Sequence, residues 1–249
     1  MHETSDAIKV ENITCMYEDT VVLEKISFSV ETGELFFIIG GSGCGKTTLL
    51  RCMTGLLAPA QGEIFYFGKS FTNNDSKERE ILLKSFGVLY QSSALWSSMT
   101  IGENISLPLE QYTRLDKNDR REIVAIKLAQ VGLAGTEELY PRELSGGMKK
   151  RAALARALAL DPKIVFFDEP SEGLDPVTSK EIDELILEVR DTLGTTMVIV
   201  SHQLSSIFRI ADRIVVLDHT TQGIIADGTP QQLATQSDDP RVINFLNQS

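Results

Sequence analysis

The run Gly40-Gly41-Ser42-Gly43-Cys44-Gly45-Lys46-Thr47 constrains this chain most, because it matches G-x-x-x-x-G-K-[ST] between flanks that suit one local architecture. Ahead of it, Glu34-Leu35-Phe36-Phe37-Ile38-Ile39 reads as a buried-strand run, its apolar residues showing no alternation. Behind it, Thr47 to Met53 suits a helix. Glycines let backbone N–H groups close around phosphate oxygens, helped by the positive end of the following helix. Lys46 is then expected to reach the β- and γ-phosphates, and the Thr47 hydroxyl to ligate Mg²⁺. Strand, loop and helix together predict a nucleoside-triphosphate site.

The 249 residues allow one large domain or two small ones. A formal net charge of −11 argues against a broad nucleic-acid-binding face, which needs clustered Lys and Arg, so no nucleic-acid partner is expected. No run reaches the roughly 18 apolar residues that span a bilayer. The start Met1-His2-Glu3-Thr4-Ser5-Asp6 lacks the basic and apolar segments of an export leader, so none is expected. A role at a membrane therefore requires partner subunits. The three cysteines, Cys15, Cys44 and Cys52, show no metal-ligand spacing. A disulfide at Cys44 would obstruct the phosphate loop, so reduced thiols in a cytoplasmic setting are expected.

Ile8 to Ile13 and Leu23 to Val30 alternate, as short antiparallel strands with one wet face do. Ile164 to Phe167, Met197 to Val200 and Ile214 to Leu217 barely alternate and, with Phe36 to Ile39, suit the centre of a parallel sheet. A helix is predicted from about Pro176 to Leu193, with Ile182, Leu185, Ile186, Val189 and Leu193 on one face. Asp175 is its cap, Pro176 its first turn and Gly194 its stop. Between the first two central strands lies an insertion, roughly Phe71 to Leu160, expected to be mostly helical. Its polar start, Thr72 to Glu80, suits a solvated loop or helix start, and Ile123, Ile126, Leu128 and Val131 give a later segment a helical face.

Asp168-Glu169 closes the apolar run Ile164 to Phe167, where an Asp can hold Mg²⁺ and a neighbouring Glu can polarise an attacking water. Leu144-Ser145-Gly146-Gly147-Met148 precedes a basic, Ala- and Leu-rich helix from Lys149 to Leu160. Ser and Gly at a helix start make either an ordinary cap or an anion site.

With phosphate loop, Gln91, Leu-Ser-Gly-Gly, Asp168-Glu169, Asp175 and His202 in this order, the chain resembles the ATP-binding-cassette (ABC) ATPase family over nearly its full length. That resemblance implies an α/β, P-loop NTPase fold with a mainly parallel central sheet, an antiparallel β subdomain and an inserted helical subdomain. It also implies one ABC ATPase domain over 1–249, with a core at about 1–85 and 161–249 and helices at about 86–160. ATP and Mg²⁺ are the implied cofactors. The ATP-binding residues are then Gly40 to Thr47, Thr48 and Tyr17, the last stacking on adenine. Two copies would pack head to tail, sandwiching two ATP molecules, with Ser145, Gly146, Gly147 and Asp175 completing the site from the second copy. Thr47, Gln91 and Asp168 are the implied metal ligands; Glu169 is the base, while Gln91 and His202 sense the γ-phosphate.

The segment Gln91 to Leu109 narrows the branch: Gln-Ser-x-Ala-Leu followed by an aromatic, here Trp96, then Thr100-x-x-Glu103-Asn104 and Pro108-Leu109. It resembles the ATPases of bacterial lipid transporters that work with mammalian-cell-entry (MCE) domain proteins, among them the maintenance-of-lipid-asymmetry (Mla) system. Gly146-Gly147-Met148-Lys149-Lys150-Arg151 and the tail Asp239 to Leu246 agree. The resemblance implies an ATPase moving phospholipids, held through an integral membrane permease at the cytoplasmic face of the inner membrane, with an MCE-domain partner. Leu95, Trp96 and Met99 either line a groove for a permease helix or fill the interior. Two alternatives stay open: an ABC ATPase for another solute, and a soluble one such as the iron–sulfur assembly type.

Overall fold

The computed structural model describes residues 6–72 and 75–247; the leader expectation for residues 1–5 and the loop expectation at Asn73 and Asn74 lie outside the described residues. In chain order the elements begin with β1 (Asp6–Tyr17), β2 (Thr20–Glu31), β3 (Leu35–Gly40), α1 (Lys46–Met53), β4 (Gln61–Tyr66), β5 (Lys69–Ser70) and α2 (Ser76–Leu83). Then come β6 (Phe86–Leu89), α3 (Ile101–Tyr112), α4 (Lys117–Gln130), α5 (Gly146–Ala157), β7 (Ile164–Asp168) and α6 (Pro176–Leu193). The chain finishes with β8 (Thr196–Val200), α7 (Leu204–Ile210), β9 (Arg213–Asp218), β10 (Gly223–Gly228), α8 (Pro230–Gln236) and α9 (Pro240–Leu246).

Two compact units divide these elements: one runs up to Leu83 and resumes at Thr196, and the other is Lys84–Thr195. In the first, β1, β2, β4 and β5 form an antiparallel sheet in the order β2-β1-β4-β5. The two alternating runs belong to strands of 12 residues each, longer than expected. Register shifts such as that between Val10 and Ile13 keep the long hairpin paired, and Asn12 at φ 50° sits inside that shift. The same unit carries strands in the order β10-β9-β3-β8, with β3 parallel to both β8 and β9. Every residue of β3 and β8 is buried, which is why neither run alternates.

In the second unit, β6 and β7 pair in parallel, and β7 is buried throughout. The inserted segment is thus not wholly helical; it contributes a four-residue strand. Helix α6 starts and stops where the sequence places it. Asp175 Oδ1 accepts from the N–H groups of Val177 (3.0 Å) and Thr178 (3.1 Å), and Gly194 ends the helix at φ 64°.

Two facing expectations are corrected. Ile126 is 56% exposed; the buried face of α4 is Val124, Lys127 and Leu128. A step of two residues turns a helix by about 200°, so Ile126 points away from the face that Val124 occupies. Lys127 takes an interior position because its ammonium reaches Asp161 Oδ1 at 2.5 Å while its methylene stem is covered. Leu193 is 38% exposed, so the buried stripe of α6 stops at Val189, one turn before the helix ends. Ile126→Lys is therefore expected to stay within about 0.5 kcal/mol of wild type, whereas Leu128→Ala costs about 2–5 kcal/mol. Urea denaturation of the two variants checks the orientation of α4.

Candidate functional site

In the first unit, the phosphate-loop motif begins at the carboxyl end of β3. Gly40 has φ 145°, and a Cβ there would lie 2.3 Å from the Leu217 carbonyl oxygen, so β9 leaves no room for a side chain. Gly41, Ser42 and Gly43 are exposed, Cys44 is buried, and Gly45 through Thr48 are half-buried. Gly45 caps α1 without a side-chain hydrogen bond, and the first turn holds no acidic residue. The loop thus offers backbone N–H groups and a positive helix end to an anion. Lys46 Nζ donates to the carbonyl oxygens of Gly40 (2.8 Å) and Gly41 (3.0 Å), holding an ammonium over the loop. Burial pushes the Cys44 thiol up, with the nearby Lys46 ammonium opposing it.

The register of β3 against β8 brings a second predicted residue into this unit's edge. Ile38 pairs with Val200. Gly40 and His202 therefore each follow that pair by two residues and leave neighbouring parallel strands at the same end. His202 is exposed there, next to buried Ser201, whose N–H donates to the Ile38 carbonyl at 3.3 Å. Tyr17 closes β1 with 56% of its surface exposed, an aromatic face open to stacking.

The second unit repeats this arrangement. Leu89 pairs with Phe167, so Gln91 and Glu169 are register mates two residues beyond. Asp168 and Glu169 are buried, and Glu169 holds φ 50°, a left-handed conformation unusual for its residue type. One residue that the sequence reading passed over joins the two strand ends. Lys150, on α5 and only 5% exposed, donates from Nζ to the Gln91 carbonyl oxygen and, at 3.2 Å, to that of Glu169. Burial lowers its pKa, and the carboxylates of Glu172, Asp168 and Glu169 counter that in turn. Glu172 also accepts a hydrogen bond from Gln91 Nε2. Only the unusual density of basic residues after Leu-Ser-Gly-Gly hinted at Lys150.

Ser145 caps α5, its Oγ accepting from Met148 N–H at 3.3 Å. Ser145 and Gly146 are exposed. A Cβ on buried Gly147 would meet Thr178 Cγ2 at 2.5 Å, so this position packs α5 directly against α6. Asp175 is exposed and held below the usual carboxylate range, first by its hydrogen bonds from Thr178.

The segment after Gln91 is shaped by two anchors, half-buried Arg156 and buried Asn104. Arg156 donates to the carbonyls of Ala94 (2.6 Å) and Ser93 (3.0 Å), two residues with positive φ. Asn104 donates to the carbonyls of Thr100 (2.9 Å), Trp96 (3.1 Å) and Met99 (3.3 Å) and accepts from Trp96 N–H. Thr100 and Glu103 form a reciprocal capping box on α3, the physical content of Thr-x-x-Glu. Trp96 is 58% exposed, which removes it from the interior-filling alternative; Leu95 and Met99 are half-buried beside it. No helix among the described residues is long and apolar enough to cross a membrane.

Residues 23–172 match a family model described as ABC transporter. Among similar proteins is the "Intermembrane phospholipid transport system ATP-binding protein MlaF" of Haemophilus influenzae, 41% identical over 239 residues that cover 96% of this chain and 89% of that protein. Another is the "Probable ribonucleotide transport ATP-binding protein mkl" of Mycobacterium tuberculosis, 36% identical over 97% of this chain and 66% of that protein. The structure resembles the dimeric post-hydrolysis state of the ATP-binding cassette MJ0796 bound to ADP and Pi, with a TM-score of 0.80 and 28% identity over 89% of this chain and 98% of that one.

Lys150→Met keeps an unbranched side chain but strips the carbonyls of Gln91 and Glu169 of their donor. It is expected to cost about 1–3 kcal/mol in urea denaturation, with Lys150→Arg losing less.

Proposed function

Because the chain belongs to the ABC transporter ATPase family, and so couples ATP hydrolysis to transport, we propose that it is the ATPase subunit of an inner-membrane phospholipid transporter. The likeness to MlaF over 96% of the chain carries the phospholipid part of this reading. The strand-edge geometry supports the assignment of individual residues.

The backbone N–H groups of Gly41 to Thr48, with Lys46, bind and neutralise the triphosphate, and Tyr17 stacks on adenine. Phosphate oxygens would replace the loop carbonyls as partners of the Lys46 ammonium, moving its charge to where negative charge builds up. Glu169 takes the proton of the attacking water, and its backbone is fixed for that task through Lys150. His202 and Gln91 orient the γ-phosphate end. The Thr47 hydroxyl, the Asp168 carboxylate and the Gln91 carboxamide are hard oxygen donors of the kind magnesium prefers. Bound magnesium would neutralise charge on the phosphate oxygens.

A second copy completes the site. Ser145, Gly146 and Asp175 are exposed and Gly147 lies beside them, so these positions can face the nucleotide of a head-to-tail partner, as the dimeric cassette structures support. Exposed Trp96, with Leu95 and Met99, is the proposed seat for a permease helix, on a segment rigidly held by Arg156 and Asn104. That permease keeps the subunit on the cytoplasmic face of the inner membrane, and an MCE-domain protein is the proposed lipid-handling partner.

Glu169→Gln should still bind ATP and close the dimer while turnover falls by about 10²–10⁴-fold. Wild-type phosphate release by that variant removes Glu169 from the base role. For the cargo, the complex is purified with its membrane partners and its bound small molecules are identified by mass spectrometry. Co-purifying phospholipid that stimulates ATP turnover is the expected result. Stimulation by ribonucleotides instead would favour the mkl-like cargo, and a complex without an integral membrane protein would overturn the transporter reading.

A further inference from the structure

The first unit contains a pair of nucleophiles that the proposed hydrolysis does not use. Cys15 on β1 and Cys52 on α1 are both buried, and their Sγ atoms share a hydrogen bond at 3.3 Å. All three cysteines are free thiols. The pair is separate from Cys44, whose Sγ faces the Lys46 ammonium at 3.9 Å within the phosphate loop. We propose that Cys15 and Cys52 are an oxidisable dithiol, a modification site at which a hydroperoxide closes a reversible disulfide between β1 and α1.

Access favours Cys52 as the attacking sulfur. It lines a cavity of about 320 Å³ that is also bounded by Gly55, Pro59, Phe71, Thr72 and Arg79, whereas Cys15 does not. The Arg79 guanidinium, 5.0 Å from the Phe71 ring centre and donating to the Gly55 carbonyl at 3.1 Å, gives this cavity a positive wall. The shared hydrogen bond and burial hold the Cys15 thiol above the ordinary thiol range, so Cys15 is not the first to ionise. The thiolate is the reactive form of cysteine. The Cys52 thiolate attacks one peroxide oxygen, the O–O bond breaks, hydroxide leaves and a sulfenic acid forms. The Cys15 thiol then attacks that sulfur; its proton leaves with the hydroxyl group as water, and the S–S bond forms. In sum, two thiols and one hydrogen peroxide give one disulfide and two waters, the sulfurs losing the two electrons that the peroxide gains.

The bond would link positions 37 residues apart, enclosing β2, β3 and the whole phosphate loop. Such a cross-link restricts the unfolded chain, so oxidation should raise thermal resistance. The inference rests on the first unit alone and does not depend on the cargo or on the role of Glu169.

In the test, the full-length reduced protein is treated with hydrogen peroxide, denatured, alkylated and mapped by mass spectrometry without reductant. The expected result is loss of two hydrogens, a Cys15–Cys52 cross-linked peptide, alkylated Cys44, a raised melting midpoint, and return of all three thiols with dithiothreitol. Cys15→Ala and Cys52→Ala should each abolish the cross-link and the midpoint shift. The wild-type peptide map stands alone if a variant fails to fold. Cys15 and Cys52 still alkylated after peroxide is consumed, a cross-link to Cys44 or between chains, or sulfinic acid at Cys52 without a disulfide would each overturn the proposal.

Discussion

Parallel pairing of fully buried strands is the constraint on which the rest of this structure depends. A strand covered on both faces has nowhere to carry polar chemistry except at its ends, and parallel neighbours deliver their ends to the same edge. In the first unit, the Ile38–Val200 register brings Gly40 and His202 out together. In the second, the Leu89–Phe167 register does the same for Gln91 and Glu169. Residues far apart in the chain thus become neighbours through backbone hydrogen bonding, before any side chain makes a contact. Gly40 shows how tightly this edge is built: the backbone of β9 occupies the space of its missing Cβ.

Polar groups inside these edges are tolerated because each unit partners them locally. Lys150 is buried yet bonded to two carbonyls and surrounded by the charges of Asp168, Glu169 and Glu172. An unpaired ammonium in that position would cost several kcal/mol. The same ammonium braces Glu169, a non-glycine residue in a left-handed conformation at the end of a buried strand. Strained residues persist only where their surroundings over-determine them. Arg156 plays the matching part at Ser93 and Ala94, which also hold positive φ. Helix α5 therefore supplies both of these cationic clamps, six residues apart on one element.

Several elements were legible from residue order alone because local chemistry specifies them. Asp175-Pro176 and Gly194 bound α6 through a side-chain cap and a left-handed turn, neither of which needs a distant partner. The unbroken apolar runs of β3, β7 and β8 announced central strands, since burial on both faces removes the alternation. The Thr100-x-x-Glu103 capping box was visible too, though as a mark of family branch; its physical role is to start α3. The facing of α4 was misjudged because hydrophobicity ranks Ile126 above Lys127, while the structure buries the lysine against Asp161.

By itself, the sequence determined the phosphate loop between strand and helix, the parallel central strands, the helix caps and the acidic pair at a strand end. Each of these follows from steric and hydrogen-bonding rules acting over a few residues. Tertiary structure alone decided that Lys150 would brace Gln91 and Glu169, that Trp96 would face outward, and that Cys15 and Cys52 would meet. Those outcomes depend on which strand pairs with which and in what register, and on how helices pack across the sheet. Such choices are settled by the burial of many apolar side chains together, and no short window of sequence contains them.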